Sequence, residues 1–403
     1  MQPLSGVKVL DFTWHLAGPY GTKLLADYGA DVTKVELPVA GDPARRYGPF
    51  PGDKPHLERS GLFLHANTNK RSITLNLKDD SAKAIAIELV RETDVVVESF
   101  SPGVMERLGL GYESLRKVNP NLVMGSVSTF GQTGPYRDWK ATDITMYALA
   151  GSLKTMGVPA KEPLRNVDHL TEYQAGNMAA MAIMGAVLQQ HWQGEGQYID
   201  ISSYEVATGS ADRRLTYGLG YEYTGDVSER LDVQHMALPA GNYPCADGFL
   251  NFMVSPPRRW PALFQMLDQP DYLEDERLRD ASFWETPEAQ ELGDGLLYPW
   301  LMERTRAQVV EEGQAAHLPV AGINSPTELL NDPHYEARGF FVKADHPEAG
   351  RIPHPGPTMF LNGGGWAMRH TAPLLGQHNR EILCGRIGLS PGELAILRGQ
   401  GAI

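Results

Sequence analysis

The N-terminal third of the chain alternates short β-type runs with helical stretches, and few folds accommodate that rhythm. Residues 7–12 (VKVLDF) form an apolar run suited to a strand. Ala17-Gly18-Pro19 reads as a turn, residues 20–28 as a helix, and residues 31–36 (DVTKVE) as a second strand. Strand, helix and strand in so short a span point to a parallel βαβ unit, because parallel neighbours need a crossover connection. The pattern recurs, with strands expected at 72–77, 94–98 and 122–127 and a helix at 81–91. The fold class is therefore α/β.

At 403 residues the chain is long enough for two sizeable cores. Residues 177–190 (NMAAMAIMGAVLQQ) read as a helix of small side chains, which implies close backbone approach and a central position. Residues 198–202 read as a strand, and 218–230, rich in Gly, Tyr and Asp, as a linker. A hairpin is expected over 242–254 around Ala246-Asp247-Gly248, followed by helices at 259–267 and 305–316. Beyond about residue 331 the chain becomes Gly- and Pro-rich and extended, closing on a short helix at 391–397. The expected division is a large domain from 1–217 and 331–403, with a smaller α+β domain at 218–330.

Thirty-six basic residues face 49 acidic ones, a formal net charge of −13. Such a surface repels phosphate backbones and anionic membranes, which argues against nucleic-acid and membrane partners. It leaves room for a local basic pocket. Two cysteines, Cys245 and Cys384, are too few for a disulfide framework and lack metal-ligand spacing, so reduced thiols and no metal are expected. Met1-Gln2-Pro3-Leu4 lacks the start of a signal peptide, and the apolar stretch 175–188 is too short to cross a bilayer. A soluble cytoplasmic protein is expected. The turn Ala17-Gly18-Pro19-Tyr20-Gly21 is not the Gly-x-Gly-x-x-Gly of a dinucleotide site, and Pro19 removes an amide that a pyrophosphate would need.

Ordered blocks along nearly the whole chain resemble the family III CoA-transferases, the group of formyl-CoA, carnitine and benzylsuccinate CoA-transferases. They are residues 4–45 (from LSGVKVLDFTWHLAGPYG to GDPAR), 69–78 (NKRSITLNLK), 98–123 (from ESFSPGVMERLGLG to NPNLV), 128–143 (STFGQTGPYRDWKATD), 194–202 (GEGQYIDIS), 332–341 (DPHYEARGFF) and 372–383 (APLLGQHNREIL). The resemblance implies a Rossmann-like large domain built from both termini, a small middle domain, and two chains interlocked as a dimer. It also implies acyl-CoA and carboxylic acid substrates, with no tightly bound cofactor.

In that family one Asp attacks the acyl-CoA thioester, giving an enzyme anhydride and then an enzyme–CoA thioester. It stands four positions before a Gly that opens the central helix. Here Gly176 is that Gly and Glu172 stands at the Asp position, just before the expected helix start, where a helix dipole favours an anion. Asp168 lies four residues out of register. Leu75, Lys78, Phe100, Arg107 and Lys140 match family positions that contact CoA, while Ser99 and Leu37 depart from the pattern. Residues 236–241 (MALPAG) replace the glycine run that closes over the carboxylate in oxalate-type relatives.

The leading expectation is a CoA-transferase subunit using Glu172, with succinyl-CoA as one possible donor. The rival is a partner subunit without chemistry of its own, in a heteromer whose paralogous chain carries the Asp. A lesser rival is an acyl-CoA racemase. Racemases of the family carry a His where Thr142 stands here, and Thr cannot move that proton. The acid that accepts CoA is not readable, though Tyr47, Tyr147 and Tyr173 are candidates to line its pocket, with the loops near Trp14 and His15.

Overall fold

The computed structural model describes residues 2–165, 167–209, 214–227, 230, 240–254, 258–280, 282–283, 286–362 and 365–403. The chain divides into two compact units. Met1–Ser152, Arg165–Gly225 and His334–Ile403 form the first, and Leu153–Leu164 with Asp226–Pro333 the second.

The first unit is built on a parallel sheet of β1 (Lys8–Phe12), β2 (Asp31–Glu36), β3 (Lys70–Thr74), β4 (Val95–Glu98), β5 (Val123–Ser128) and β6 (Tyr198–Ser202). Its order is β3-β2-β1-β4-β5-β6, with every neighbouring pair parallel. The direction of winding reverses between β1 and β4, which opens a crevice at their carboxyl ends. Both faces are covered, so the strands are apolar on both sides. Leu10, Phe12, Ile73 and Val96 enter one core with Ile382, Leu383 and Ile403 from the C-terminal segment. Val9, Val32, Val95 and Val97 enter the other with Leu25, Ala179 and Ile183. The alternation is the two-residue period of a strand.

Helix α1 (Ala17–Asp27) begins at Ala17, so the residues expected to turn form its first turn. Pro19 is tolerated there because the first amides of a helix have no partner to lose. Helices α2 (Asp80–Val90) and α3 (Asp143–Leu149) follow. The long helix α4 (Leu170–Gln193) starts seven residues earlier than Asn177, where the small-residue run begins. Its buried face is Ala175, Gly176, Ala179, Ala180, Ile183 and Ala186, and these small side chains let α1 come close. A β-carbon on Gly176 would stand 2.6 Å from the Ala17 carbonyl oxygen, and one on Gly21 would stand 2.9 Å from the Gly176 carbonyl oxygen. The residues read as a linker are instead helical up to Thr224, in α5 (Arg214–Thr224).

The second unit has an antiparallel sheet of β7 (Ala240–Cys245), β8 (Gly248–Met253) and β9 (Val320–Gly322). Cys245 pairs with Gly248, so Ala246 and Asp247 make the expected two-residue turn. Helices α6 (Trp260–Met266), α7 (Pro287–Met302) and α8 (Arg306–Ala315) contribute Leu263, Phe264, Leu297, Leu301 and Val309 to a core with Leu250 and Phe252. Back in the first unit, β10 (Phe341–His346) and β11 (Gly350–Pro355) form an antiparallel hairpin, and α9 (Pro391–Gly399) is the last helix. Among the described residues no helix is long and apolar enough to cross a membrane. Cys245 and Cys384 are both free thiols.

Gly176→Ala should lower the melting temperature. Its methyl group meets a backbone carbonyl that cannot turn aside, an overpacking cost of about 1–3 kcal/mol, against a helix-propensity gain of up to about 1 kcal/mol. Thermal denaturation monitored by circular dichroism is the check, and an unchanged or raised midpoint would contradict the close crossing of α1 and α4.

Candidate active site

A cavity of about 670 Å3 opens at the carboxyl ends of β1 and β4, where the winding reverses. Its wall includes Trp14, His15, Tyr47, Ser99, Phe100, Arg137, Trp139, Lys140, Thr142, Asp143, Asp168, His169 and Glu172.

Buried charges set the shape of the loop after β1. Asp11 Oδ1 accepts the Thr13 amide at 2.9 Å, Lys34 Nζ donates to the Thr13 carbonyl at 2.7 Å, and Asp42 Oδ1 accepts the His15 amide at 3.0 Å. The acids and bases pair among themselves. Asp11 meets Lys70 at 3.0 Å, Lys34 meets Asp42 at 2.8 Å, and Glu36 meets Arg45 at 2.7 Å, all with side chains closed to solvent. Burial alone would raise the Asp11 carboxyl, but Lys70 and Lys34, with Thr13 and Thr22, hold it below the usual Asp range. Burial brings Lys70 down to about 8, with Asp11 opposing. His15 is thereby held at a left-handed φ of 64°, and its ring meets Tyr47 edge-on at 5.8 Å. Trp14 donates its amide to Ser99 Oγ at 2.8 Å and sets its ring edge-on to Phe100 at 5.2 Å. Ser99 thus joins the two strand-end loops.

Glu172 lies in the first turn of α4, not ahead of it. The helix is capped from another element, since Asp143 Oδ1 accepts the Thr171 amide at 2.9 Å and the Glu172 amide at 3.3 Å. His169, at the N-cap position, is left-handed (φ 70°) and makes no capping bond with its side chain. Its Nδ1 instead meets Glu172 Oε2 at 2.5 Å. Asp168 pairs with Arg165 at 3.0 Å, both well exposed.

Of the residues read from the sequence, Glu172, Phe100 and Lys140 meet around this cavity. Arg107 is exposed just outside it: a β-carbon on Gly103 would stand 3.1 Å from Arg107 Nη1 and 3.2 Å from Arg137 Nη2. Leu75 is buried in the core beside β3, and Lys78 is exposed beyond it, so neither lines the cavity. Tyr47 lines it, but Tyr147 is buried and Tyr173 packs on Tyr20 (4.8 Å) and His65 (5.8 Å) instead. Of residues 236–241 only Ala240 and Gly241 fall within the described residues. His169, Arg137 and the capping Asp143 were not singled out by the sequence. The block YRDWKATD holds two of them, but nothing local marks Arg137 as facing a cavity. Among the described residues no group of His, Cys, Asp and Glu could hold a metal ion.

Glu98 closes β4 beneath this wall. It is 4% exposed, its Oε2 accepts the Phe100 amide at 2.8 Å, and burial pushes its carboxyl up to about 7 against the hydrogen bonds from Ser126 and Phe100. The folded chain keeps this proton where the unfolded chain has lost it. The contribution of Glu98 to stability is therefore full below the unfolded value of 4.5 and is lost as pH rises through about 7. Glu98→Gln should stabilise the protein by about 3 kcal/mol at pH 8 and by little at pH 4. Chemical denaturation at the two pH values checks this, and equal effects at both would remove the buried-acid account.

Residues 4–379 match the family model described as CoA-transferase family III. Succinyl-CoA–D-citramalate CoA-transferase of Chloroflexus aurantiacus is 33% identical, over 100% of this chain and 98% of the relative. The alpha and beta subunits of succinyl-CoA–L-malate CoA-transferase from the same organism are 29% and 30% identical, over 100% of this chain and 87% and 98% of their own lengths. The crystal structure of a CAIB/BAIF family protein from Brucella suis superposes with a TM-score of 0.83 at 27% identity, covering 95% of this chain and 99% of that one. With its parallel sheet, its cavity at the winding reversal and a match along almost its whole length, the chain belongs to CoA-transferase family III and is a CoA-transferase.

Proposed function

We propose that this chain moves CoA from succinyl-CoA to a carboxylic acid through intermediates carried on Glu172. The observation that carries the reading is a Glu172 carboxylate facing the same cavity as Phe100 and Lys140, at the N-terminal end of a helix. A free Glu172 oxygen attacks the thioester carbonyl, the carbon–sulfur bond breaks, and CoA leaves as thiolate. The thiolate then attacks the Glu172 carbonyl carbon of the mixed anhydride, releasing the donor acid and leaving an enzyme–CoA thioester. The acceptor carboxylate repeats both steps in reverse. Two displacements on an enzyme carboxylate split one hard exchange into easier steps. The names of the relatives support succinyl-CoA as donor.

Phe100 gives pantetheine an apolar wall, and Lys140, Arg107 and Arg137 suit phosphate charges. Among the described residues neither Arg107 nor Arg137 is in an ion pair, so a bound anion relieves the repulsion between their neighbouring guanidinium groups. The exposed Lys78 is assigned to the nucleotide end of CoA, outside the enclosed part of the cavity, with the buried Leu75 backing that surface from the core. For the assembly we propose the interlocked dimer of the family. In its support, α4 exposes an apolar stripe of Met181, Met184, Leu188 and Trp192 at helical spacing.

The second reading is a partner subunit in a heteromer, favoured by the relatives named as alpha and beta subunits and by Glu in the place of the family's Asp. Racemase chemistry is disfavoured by Thr142 on the cavity wall. The purified chain, given succinyl-CoA and a panel of carboxylic acids, should make new CoA thioesters, and mass spectrometry should find CoA attached at Glu172. Glu172→Gln should abolish both. If activity needs a second chain and Glu172→Gln has no effect, the partner-subunit reading replaces this one. Arg137→Ala should raise KM for succinyl-CoA about tenfold, the loss of one charge-assisted contact, with kcat nearly unchanged. An unchanged KM would remove Arg137 from the CoA site.

A further inference from the structure

We propose that His169 is a catalytic hydrogen-bond donor to the negative charge that develops on the Glu172 acyl oxygen when its anhydride and thioester are attacked. The inference rests on Glu172 as the nucleophile and adds a role for a residue that the family pattern does not supply. A carboxylate oxygen can only accept, so His169 Nδ1, 2.5 Å from Glu172 Oε2, carries the hydrogen of that contact.

The local backbone shows that this side chain is free for the task. A non-glycine residue at φ 70° is uncommon and costs about 1–3 kcal/mol. An N-cap side chain ordinarily bonds the helix amides. Here Asp143 already accepts two of those amides, from α3, and the His169 ring turns to the carboxylate. Tyr173 is engaged with Tyr20 and His65. Among the described residues His169 is the donor found on the Glu172 side chain.

The contact favours one division of labour between the oxygens: Oε2 keeps the hydrogen bond, and Oε1, which accepts none among the described residues, attacks. In the anhydride Oε1 bridges to the donor acyl group and Oε2 is the carbonyl oxygen. When the CoA thiolate attacks the Glu172 Cδ, the π pair of the Cδ–Oε2 bond moves onto Oε2. His169 Nδ1–H faces that oxyanion. Collapse restores the carbonyl, breaks the Cδ–Oε1 bond and releases the donor acid as a carboxylate. The same donor serves when the acceptor carboxylate attacks the thioester. A donor already aimed at an oxyanion lowers the barrier without reorganisation.

The test compares His169→Gly, which keeps the left-handed backbone and loses the donor, with His169→Asn, which tolerates that backbone and restores an N–H. Each is assayed as the full-length protein with succinyl-CoA, and the CoA adduct at Glu172 is followed by mass spectrometry. His169→Gly should lower kcat by about 10²-fold with KM for succinyl-CoA within about twofold, and His169→Asn should recover about tenfold or more of the loss. If His169→Gly keeps its kcat, or loses it with no recovery in a His169→Asn protein that melts normally, the donor role is wrong while Glu172 stands. If the parent protein forms no adduct at Glu172, the nucleophile assignment fails and takes this inference with it.

Discussion

Three buried ion pairs under the sheet's carboxyl edge, Asp11 with Lys70, Lys34 with Asp42 and Glu36 with Arg45, are the constraint on which the cavity depends. Such pairs are poor stabilisers by themselves, because the cost of desolvating each charge offsets most of the attraction. Their value here is positional. Every cation also donates to a main-chain carbonyl: Lys34 to Thr13, Lys70 to Pro19 and Arg45 to Pro373. The acids in turn hold the amides of Thr13 and His15. The loop between β1 and α1 is therefore fixed by charges that cannot rearrange without leaving one of them unpaired in the interior, a loss of about 3–5 kcal/mol. The third of these pairs reaches the C-terminal segment through Pro373, which ties that segment to the first strands.

Above this base the chain reconciles an acidic surface with a polyanionic substrate. A formal net charge of −13 disfavours non-specific contact with polyanions. The cations at the cavity mouth, Arg107, Arg137 and Lys140, lie on the segments that follow β4 and β5. Local field, not overall charge, governs what enters such a crevice. The winding reversal in the sheet supplies the crevice itself, so backbone topology and side-chain charge converge on one place.

Much of the framework was legible because strand residues buried on both faces leave a clear apolar signature. Strands 31–36 and 198–202 coincide with β2 and β6. Helix starts were harder. Pro19 reads as a turn, yet costs nothing in a first turn, and the small-residue run that marks α4 begins well inside it. The second half of α5, residues 218–224, reads as linker because glycines and tyrosines dominate so short a stretch. At the site, Glu172, Phe100 and Lys140 could be read by register against a family pattern. His169 could not, since its role depends on a left-handed backbone and on a cap lent by Asp143, twenty-six residues away in sequence. Arg137 was hidden for a similar reason: facing a second guanidinium across Gly103 is a property of folded loops.

The crossing of α1 and α4 through Gly21 and Gly176 has a mechanical consequence. Ala17, whose carbonyl abuts Gly176, is also on the cavity wall, and it immediately follows the loop carrying Trp14 and His15. With no side chain between the two backbones, neither helix can slide or tilt without colliding with the other. The wall contributed by that loop and the carboxylate of Glu172 consequently form a gauge of set width. The side chains that project into the gap can be exchanged, but the gap itself can hardly be widened.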